Sequence, residues 1–85
     1  KNKMDRLASY IDMTEQQHRT ALEVAFEECA EYGYQSLLEA LKKGYESIGY
    51  SRGRNTLVNL CKFLLESHAI TKNGRTYSYN PSFHL

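Results

Sequence analysis

Apolar residues recur at helical spacing in the second half of the chain. Four of them follow one another at steps of three, one and three residues, which places them on one side of a helix: Leu57, Leu60, Cys61 and Leu64. Ser51 precedes this run, and its hydroxyl can accept a hydrogen bond from a free backbone N–H of a first helical turn. We therefore predict a helix over residues 51–66 that begins after a Ser51 cap and packs its apolar stripe inward.

Two short runs of β-favouring residues follow this helix, at residues 69–72 and 75–79. The pair Asn73-Gly74 lies between them and tolerates the positive φ angles of a tight turn. We therefore predict a hairpin over residues 69–80 with Asn73 and Gly74 as its two-residue loop.

Two more helices are predicted in the first half of the chain. Thr14 is followed three residues later by Gln17, a capping-box pattern in which each side chain binds a backbone N–H at the start of a helix. The helix that begins there has apolar positions at helical spacing and is predicted to end at Gly33. The next helix is predicted from about Gln35 to about Tyr45.

The apolar stripes of the three helices define a predicted core. Its residues are Leu22, Phe26, Leu38, Leu41, Leu57, Leu60 and Leu64. Cys29 and Cys61 each lie on a predicted stripe, so both thiols are predicted to be buried, where a free cysteine behaves as a small hydrophobe. Tyr77 and Tyr79 alternate with polar residues in the second strand and are predicted to face the helices.

The N-terminal segment is predicted to lie outside this core. Residues 1–12 carry apolar positions at helical spacing over too few turns to support a stable isolated helix: Met4, Leu7, Ala8 and Ile11. We predict a short helix or an arm here, followed by one domain over residues 13–85. A chain of 85 residues is too short to bury two cores.

The succession of helix, short link and basic hairpin resembles the C-terminal half of the winged helix-turn-helix superfamily, over roughly residues 35–80. The resemblance implies a mainly α fold with a small β-hairpin, a three-helix winged helix-turn-helix domain. In it, residues 51–66 form the recognition helix and residues 69–80 form the wing. The turn predicted over residues 44–50 is longer than the short turn of the simplest members.

Charge divides the chain into two unlike parts. Residues 1–41 contain four Lys and Arg against eight Asp and Glu, and residues 42–85 contain seven against two, so the net charges are −4 and +5. The formal net charge of +1 conceals this polarity. Basic residues that share one face can neutralise the phosphates of a nucleic acid and release its counterions.

Double-stranded DNA is therefore the predicted partner. Arg52, Arg54 and Asn55 are expected to reach base edges in the major groove, because Arg suits guanine and Asn suits adenine. Lys62, Lys72 and Arg75 are expected to hold phosphates. The complete predicted DNA-binding set is Ser51, Arg52, Arg54, Asn55, Lys62, Lys72, Asn73 and Arg75. An accessory domain of a larger DNA replication or transcription protein is one setting for this activity.

A protein partner is the alternative, since the resemblance also covers winged helices that bind proteins instead of duplex DNA. Seven tyrosines would suit such a surface. A partner protein or a second copy would bind through residues 1–12 or through the acidic helix predicted over residues 14–32. The sequence leaves both function classes open.

The residue spacings that are typical of catalytic, cofactor and metal sites are absent from this sequence. No nucleophile with a base and no phosphate-binding glycine loop is recognisable, so we expect no enzymatic activity and no cofactor in this domain. The histidines His18, His68 and His84 are scattered, so we expect no metal. No run approaches the ~20 apolar residues of a membrane span, so we expect no membrane partner. Two cysteines do not form a dense disulfide framework, which indicates an intracellular protein.

Overall fold

The computed structural model describes residues 10–84, which form three α-helices and a small antiparallel sheet. In chain order the elements are a 3-10 turn Tyr10–Asp12, α1 Glu15–Ala25, β1 Glu31–Tyr32, α2 Tyr34–Glu46, α3 Arg54–Glu66, β2 Ile70–Asn73 and β3 Thr76–Tyr79. The predicted fold class, mainly α with a β-hairpin in a winged-helix-like arrangement, is confirmed.

The sheet has the strand order β1-β3-β2, so the hairpin is joined by a third strand from the first half of the chain. Glu31 lies opposite Ser78, and Tyr32 lies opposite Tyr77. Strand β1 was not predicted, because two residues show no alternating pattern. The hairpin is therefore tied to the helical layer at the point where α2 begins.

Helix α1 begins as predicted and ends earlier than predicted. The Thr14 Oγ1 atom accepts from the Gln17 N–H at 3.2 Å, and Gln17 Oε1 accepts from the Thr14 N–H at 2.9 Å, which confirms the capping box. The helix ends at Ala25, whose carbonyl accepts from the Tyr32 hydroxyl at 2.9 Å. Residues 26–30 then connect the end of α1 to strand β1.

The early end of α1 makes three sequence predictions wrong. Cys29 lies beyond the helix and is exposed, whereas Cys61 is buried as predicted. The acidic helix over residues 14–32 does not extend past residue 25, so Glu27 and Glu31 are not on it. Gly33 does not stop α1; it is the cap residue at the start of α2.

Helices α1 and α2 approach each other closely at Gly44. A Cβ atom at this position would lie 2.3 Å from the Ala21 carbonyl oxygen and 2.9 Å from Ala25 Cβ. Only glycine fits such a backbone approach without a shift of one helix. The contact holds α2 against α1 and leaves the opposite side of α2 available to α3.

The start of α3 differs from the prediction. The helix begins at Arg54 with Gly53 as its cap residue, so Ser51 is not the cap. The Tyr50 N–H donates to the Tyr45 carbonyl at 2.9 Å, and the Ser51 hydroxyl donates to Glu46 Oε2 at 3.3 Å. These bonds keep residues 50 and 51 with the end of α2. The linker between α2 and α3 is therefore residues 47–53.

The hairpin loop is shifted by one residue from the prediction. Asn73 pairs with Thr76, so the two loop residues are Gly74 and Arg75 instead of Asn73 and Gly74. Gly74 has φ +66, and a glycine with positive φ at the first loop position is what a type II′ turn requires. The shift moves Asn73 into β2 and brings Arg75 to the tip.

The predicted core is largely confirmed. Six of the seven predicted residues are buried, and Phe26 is half-buried against them. The stripe predicted for α3 is buried throughout: Leu57, Leu60, Cys61 and Leu64. Tyr77 is buried and Tyr79 is half-buried against the same core, and Phe83 folds back onto it.

The predicted N-terminal stripe is described only in part. Ile11 is 67% exposed, and Met4, Leu7 and Ala8 lie outside the described residues. Within residues 10–84, none of the helices combines the length and the apolar composition needed to cross a membrane.

Candidate nucleic-acid interface

The start of α3 concentrates positive charge. Arg54 is its first residue, Arg52 precedes it in the linker, and the first turn holds no acidic side chain. Gly53 has no side chain with which to bind the free N–H groups of this turn. Because the N-terminal end of a helix already carries a partial positive charge, the two guanidinium groups add to a positive potential.

A surface cleft of about 200 Å³ lies beside this start, between α2 and α3. Three cations line it, namely Lys42 from α2 with Arg52 and Arg54, and its other lining residues are Leu38, Glu39, Gly53 and Leu57. Lys42 is absent from the predicted site because the sequence does not say which part of α2 meets the start of α3. The cleft joins cations from three successive segments of the chain.

Arg52 is held by its neighbours. Its guanidinium carbon lies 4.5 Å from the centre of the Tyr50 ring, and its Nη1 donates to the Ser51 carbonyl at 2.8 Å. The Tyr50 side chain is buried, so the guanidinium group that lies over its ring stays close to the body of the domain. Arg52 is therefore half-buried, whereas Ser51 is exposed.

Arg54 is exposed and connects α3 to α2. Its Nη2 atom donates to Gln35 Oε1 at 3.0 Å. Gln35 belongs to the first turn of α2, so this bond joins the starts of the two helices. Gln35 was not predicted as a site residue, since a polar residue at the start of a helix is common for reasons of solubility alone.

The hairpin also contacts the start of α2. The Tyr34 ring, at the start of α2, lies 6.1 Å from the Tyr77 ring of β3. Lys72 Nζ lies 5.9 Å from the centre of the Tyr77 ring, and the two residues are cross-strand partners. Arg54 and Lys72 are therefore linked by a contact series that runs through Gln35, its chain neighbour Tyr34, and Tyr77.

The outer face of α3 carries polar residues at helical spacing. Asn55 and Lys62 are exposed as predicted, and Asn59 is exposed between them at the i+4 position. Asn59 was missed because it carries no charge. A carboxamide can form two hydrogen bonds with the edge of an adenine, so Asn59 belongs with Asn55 in the candidate interface.

The hairpin tip supplies the remaining predicted residues. Asn73 and Arg75 are exposed, and Asn73 Nδ2 donates to Ser78 Oγ at 3.4 Å. An acidic side chain approaches the same hairpin, since Glu31 Oε1 accepts from Thr76 Oγ1 at 3.2 Å. The predicted set thus lies at the start and outer face of α3 and on the hairpin, with Glu31 beside it.

A second groove, of about 330 Å³, lies between the end of α1, β1 and α2. Its apolar part is formed by Val24, Ala25, Tyr32 and Ala40. Glu28 and Lys43 line it and form an ion pair at 3.6 Å between two exposed side chains. Glu39 lines both this groove and the cationic cleft, so α2 separates them.

The metal-ligating side chains and the buried thiol show no reactive arrangement in the part of the chain that the structure describes. Among residues 10–84, no three His, Cys, Asp or Glu side chains lie together in a way that would hold a metal ion. Burial raises the pKa of the Cys61 thiol, which disfavours the reactive thiolate.

No family model matches this chain, and neither the curated proteins nor the solved structures contain a match to it.

Proposed function

We propose that this domain binds double-stranded DNA, with the outer face of α3 in the major groove and the hairpin on the phosphate backbone. The observation that carries the proposal is the contact series from Arg54 through Gln35, Tyr34 and Tyr77 to Lys72. It sets a cation of the helix start and a cation of the hairpin on either side of one short segment.

The cleft beside α3 supports the same partner. Three cations line a cleft next to a helix start without a side-chain cap: Lys42, Arg52 and Arg54. Phosphate groups of a DNA backbone would neutralise Lys42 and Arg52 and accept hydrogen bonds from the free N–H groups, which leaves Arg54 for a base contact. Binding by this term is independent of sequence and weakens as salt is added.

The outer face of α3 would supply sequence preference. Arg54 matches the two acceptors of a guanine, and the carboxamides of Asn55 and Asn59 match the donor and acceptor of an adenine. Lys62, exposed further along the same face, would hold a phosphate. An accessory role in a larger replication or transcription protein follows as part of the proposal.

A protein partner is the second candidate function, and the groove between α1, β1 and α2 favours it. This groove is lined partly by apolar side chains, and its charged lining residues are Glu28, Glu39 and Lys43, with Lys43 paired to Glu28. A protein with a basic segment would suit that chemistry. The two candidates use different sides of α2, so they can be tested with separate substitutions.

The test compares two lysines under the same charge change. Fluorescence anisotropy with a labelled duplex of arbitrary sequence is recorded at low and moderate salt for the unmodified protein, Lys72→Ala and Lys43→Ala. Lys72 is on the hairpin, and Lys43 lines the other groove. We expect Lys72→Ala to weaken binding to all sequences and to lower the salt slope by roughly one unit.

The matched control decides what a loss means. Lys43→Ala is expected to leave the affinity and the salt slope nearly unchanged. Equal effects from both substitutions would show only a response to net charge and would contradict a binding face on the hairpin. Absence of salt-sensitive binding by the folded protein would remove DNA as the partner and favour a protein.

A further inference from the structure

A buried histidine lies where the three helices and the N-terminal turn meet. His18, in α1, is 0% exposed. Its Nε2 lies 2.9 Å from the Tyr10 carbonyl oxygen, and its Nδ1 lies 2.7 Å from the Tyr45 hydroxyl. A carbonyl oxygen only accepts, so Nε2 carries the proton in the neutral ring. Nδ1 then accepts from the Tyr45 hydroxyl, and both ring nitrogens are satisfied.

Aromatic rings surround the imidazole. The centre of the Phe63 ring, from α3, lies 5.5 Å from that of the His18 ring, and the Tyr45 ring lies 5.7 Å away. The Tyr10 ring packs on Phe63 at 5.2 Å. The Tyr10–Asp12 turn is thus held against the helices partly by the imidazole and partly by an aromatic contact.

Within residues 10–84, the ionisable side chain that bonds to His18 from another element is the Tyr45 phenol, whereas Tyr10 contacts the ring through its backbone carbonyl. The Tyr45 phenol is in turn influenced by Tyr50 and Tyr79. The nearest acids in the sequence are Asp12, which is exposed on the turn, and Glu15, on the same helix as His18. Glu15 forms an ion pair with Arg19 at 3.0 Å and lies 3.8 Å from His84.

A second proton on His18 would disturb this arrangement. Nδ1 would become a donor, so the Tyr45 hydroxyl would lose the acceptor for its own proton. The Nε2–H bond to the Tyr10 carbonyl would remain, but the ring would carry a positive charge at a site that is 0% exposed. Burial accordingly lowers the pKa of His18, although the hydrogen bond to the Tyr10 carbonyl opposes this shift.

The turn held by His18 is also bonded to the linker before α3. The Tyr10 N–H donates to the Tyr50 hydroxyl at 3.1 Å, and Arg52 lies over the ring of Tyr50. The imidazole is therefore connected through two hydrogen bonds and one ring contact to a cation of the linker. A change in the position of the turn would therefore alter the contacts of Tyr50 and Arg52.

We propose that His18 is a pH-sensitive latch. Water can reach the protonated ring when the Tyr10–Asp12 turn leaves the junction of the three helices, so protonation favours release of the turn. The latch acts on the packing of the domain itself, so it goes beyond the proposed DNA binding and does not depend on it. The closed form contains neutral His18, and the released form contains an imidazole that water can reach.

The direction of the effect follows from proton linkage. The released imidazole binds its proton near the ordinary pKa of about 6.5, and the latched imidazole binds it at lower pH. The contribution of the latch is therefore complete above that ordinary pKa and is lost as the pH falls through the lowered pKa. Between the two pKa values, the released fraction should rise about tenfold per pH unit.

The experiment follows the latch and its release in the same sample. Nuclear magnetic resonance of the ¹⁵N-labelled protein, from about pH 7.5 to about pH 5, reports the protonation of the His18 ring and the exchange protection of the Tyr10 amide. Exchange rates are corrected for their intrinsic dependence on pH. The Leu60 amide, in the core part of α3, reports global unfolding. We expect Tyr10 protection to fall as His18 protonates, while Leu60 stays protected.

Two variants separate the latch from a general effect of pH. His18→Gln keeps a donor and an acceptor but cannot take up a proton, and it should abolish the pH dependence of Tyr10 protection. His84→Gln removes an exposed histidine and should leave that dependence intact.

Three results would overturn the latch. The first is a doubly protonated His18 ring with unchanged Tyr10 protection, which the unmodified protein alone can reveal even if His18→Gln does not fold. The second is joint loss of Tyr10 and Leu60 protection at every pH. The third is an unchanged pH dependence in His18→Gln.

Discussion

The first turns of α1 and α3 are built in different ways. At the start of α1, Thr14 and Gln17 bind each other's backbone N–H groups, and Glu15 places a negative charge near the positive end of the helix. At the start of α3, Gly53 supplies no side-chain cap. Arg54 places a positive charge there instead, and no acid balances it within that turn.

The difference separates stability from binding. Charges that match the helix dipole stabilise by about 0.3–1 kcal/mol each at exposed sites, and charges that oppose it destabilise by similar amounts. The helix dipole and the capped N–H groups at the start of α1 are therefore balanced by side chains of the domain itself. The start of α3 carries an unfavourable charge that an anionic partner would offset. Substitutions at the two starts should accordingly change different measured quantities.

The largest expected effect is on DNA binding at Arg54. Arg54→Ala should weaken binding to a preferred duplex by about 1–3 kcal/mol and relax sequence preference, because a base contact is lost. The free energy of unfolding should stay within about 0.5 kcal/mol, since the side chain is exposed and opposes the dipole. Anisotropy titrations and urea denaturation measure the two quantities.

Gln35→Ala is the control for Arg54. It removes the hydrogen bond from Arg54 Nη2 and leaves the cation in place. We expect a much smaller loss of affinity than in Arg54→Ala. If both substitutions weakened binding equally, the bond between the helix starts, and not a base contact, would account for the effect.

A smaller effect, on stability, is expected at the start of α1. Thr14→Ala should lower the free energy of unfolding by about 1 kcal/mol, because the Gln17 N–H loses the Thr14 hydroxyl as its acceptor. DNA affinity should not change. Gln16→Ala, at an exposed neighbouring position, should alter stability by less than about 0.5 kcal/mol. Weakened DNA binding by folded Thr14→Ala protein would contradict the division between the two starts.

The features that the sequence revealed are those encoded locally. Thr14 and Gln17 are three residues apart, and their capping box formed as predicted. The stripe of α3 is likewise a local pattern, because its members are brought together by the helix alone. The predicted exposure of Arg54 and Asn55 also follows from that stripe.

The features that were missed depend on distant partners. Strand β1 has two residues and exists through pairing with β3, near the other end of the chain. The end of α1 at Ala25 depends on the same strand, since Tyr32 binds the carbonyl of Ala25. The Ser51 cap failed because residues 50 and 51 bond backward to α2. Lys42 lies in the candidate site because α2 packs beside the start of α3, and the sequence does not reveal this packing.

The smallest expected effect comes from adding a cap to α3. Gly53 has φ −78 and ψ 177, and a Cβ atom there would meet nothing within 4 Å, so Gly53→Ser fits the existing backbone. Its hydroxyl can accept from an N–H of the first turn, which should raise the free energy of unfolding by a few tenths of a kcal/mol. Gly33→Ser is the matched control, because Gly33 caps α2 with φ −71, ψ 170 and the same open space.

Urea denaturation should show a similar gain in both variants. Anisotropy should separate them, because a serine at residue 53 competes with phosphate for the free N–H groups and should weaken DNA binding. Equal DNA affinity in the two variants would mean that phosphate does not bind at the start of α3, and would leave the outer face and the hairpin as the binding surface.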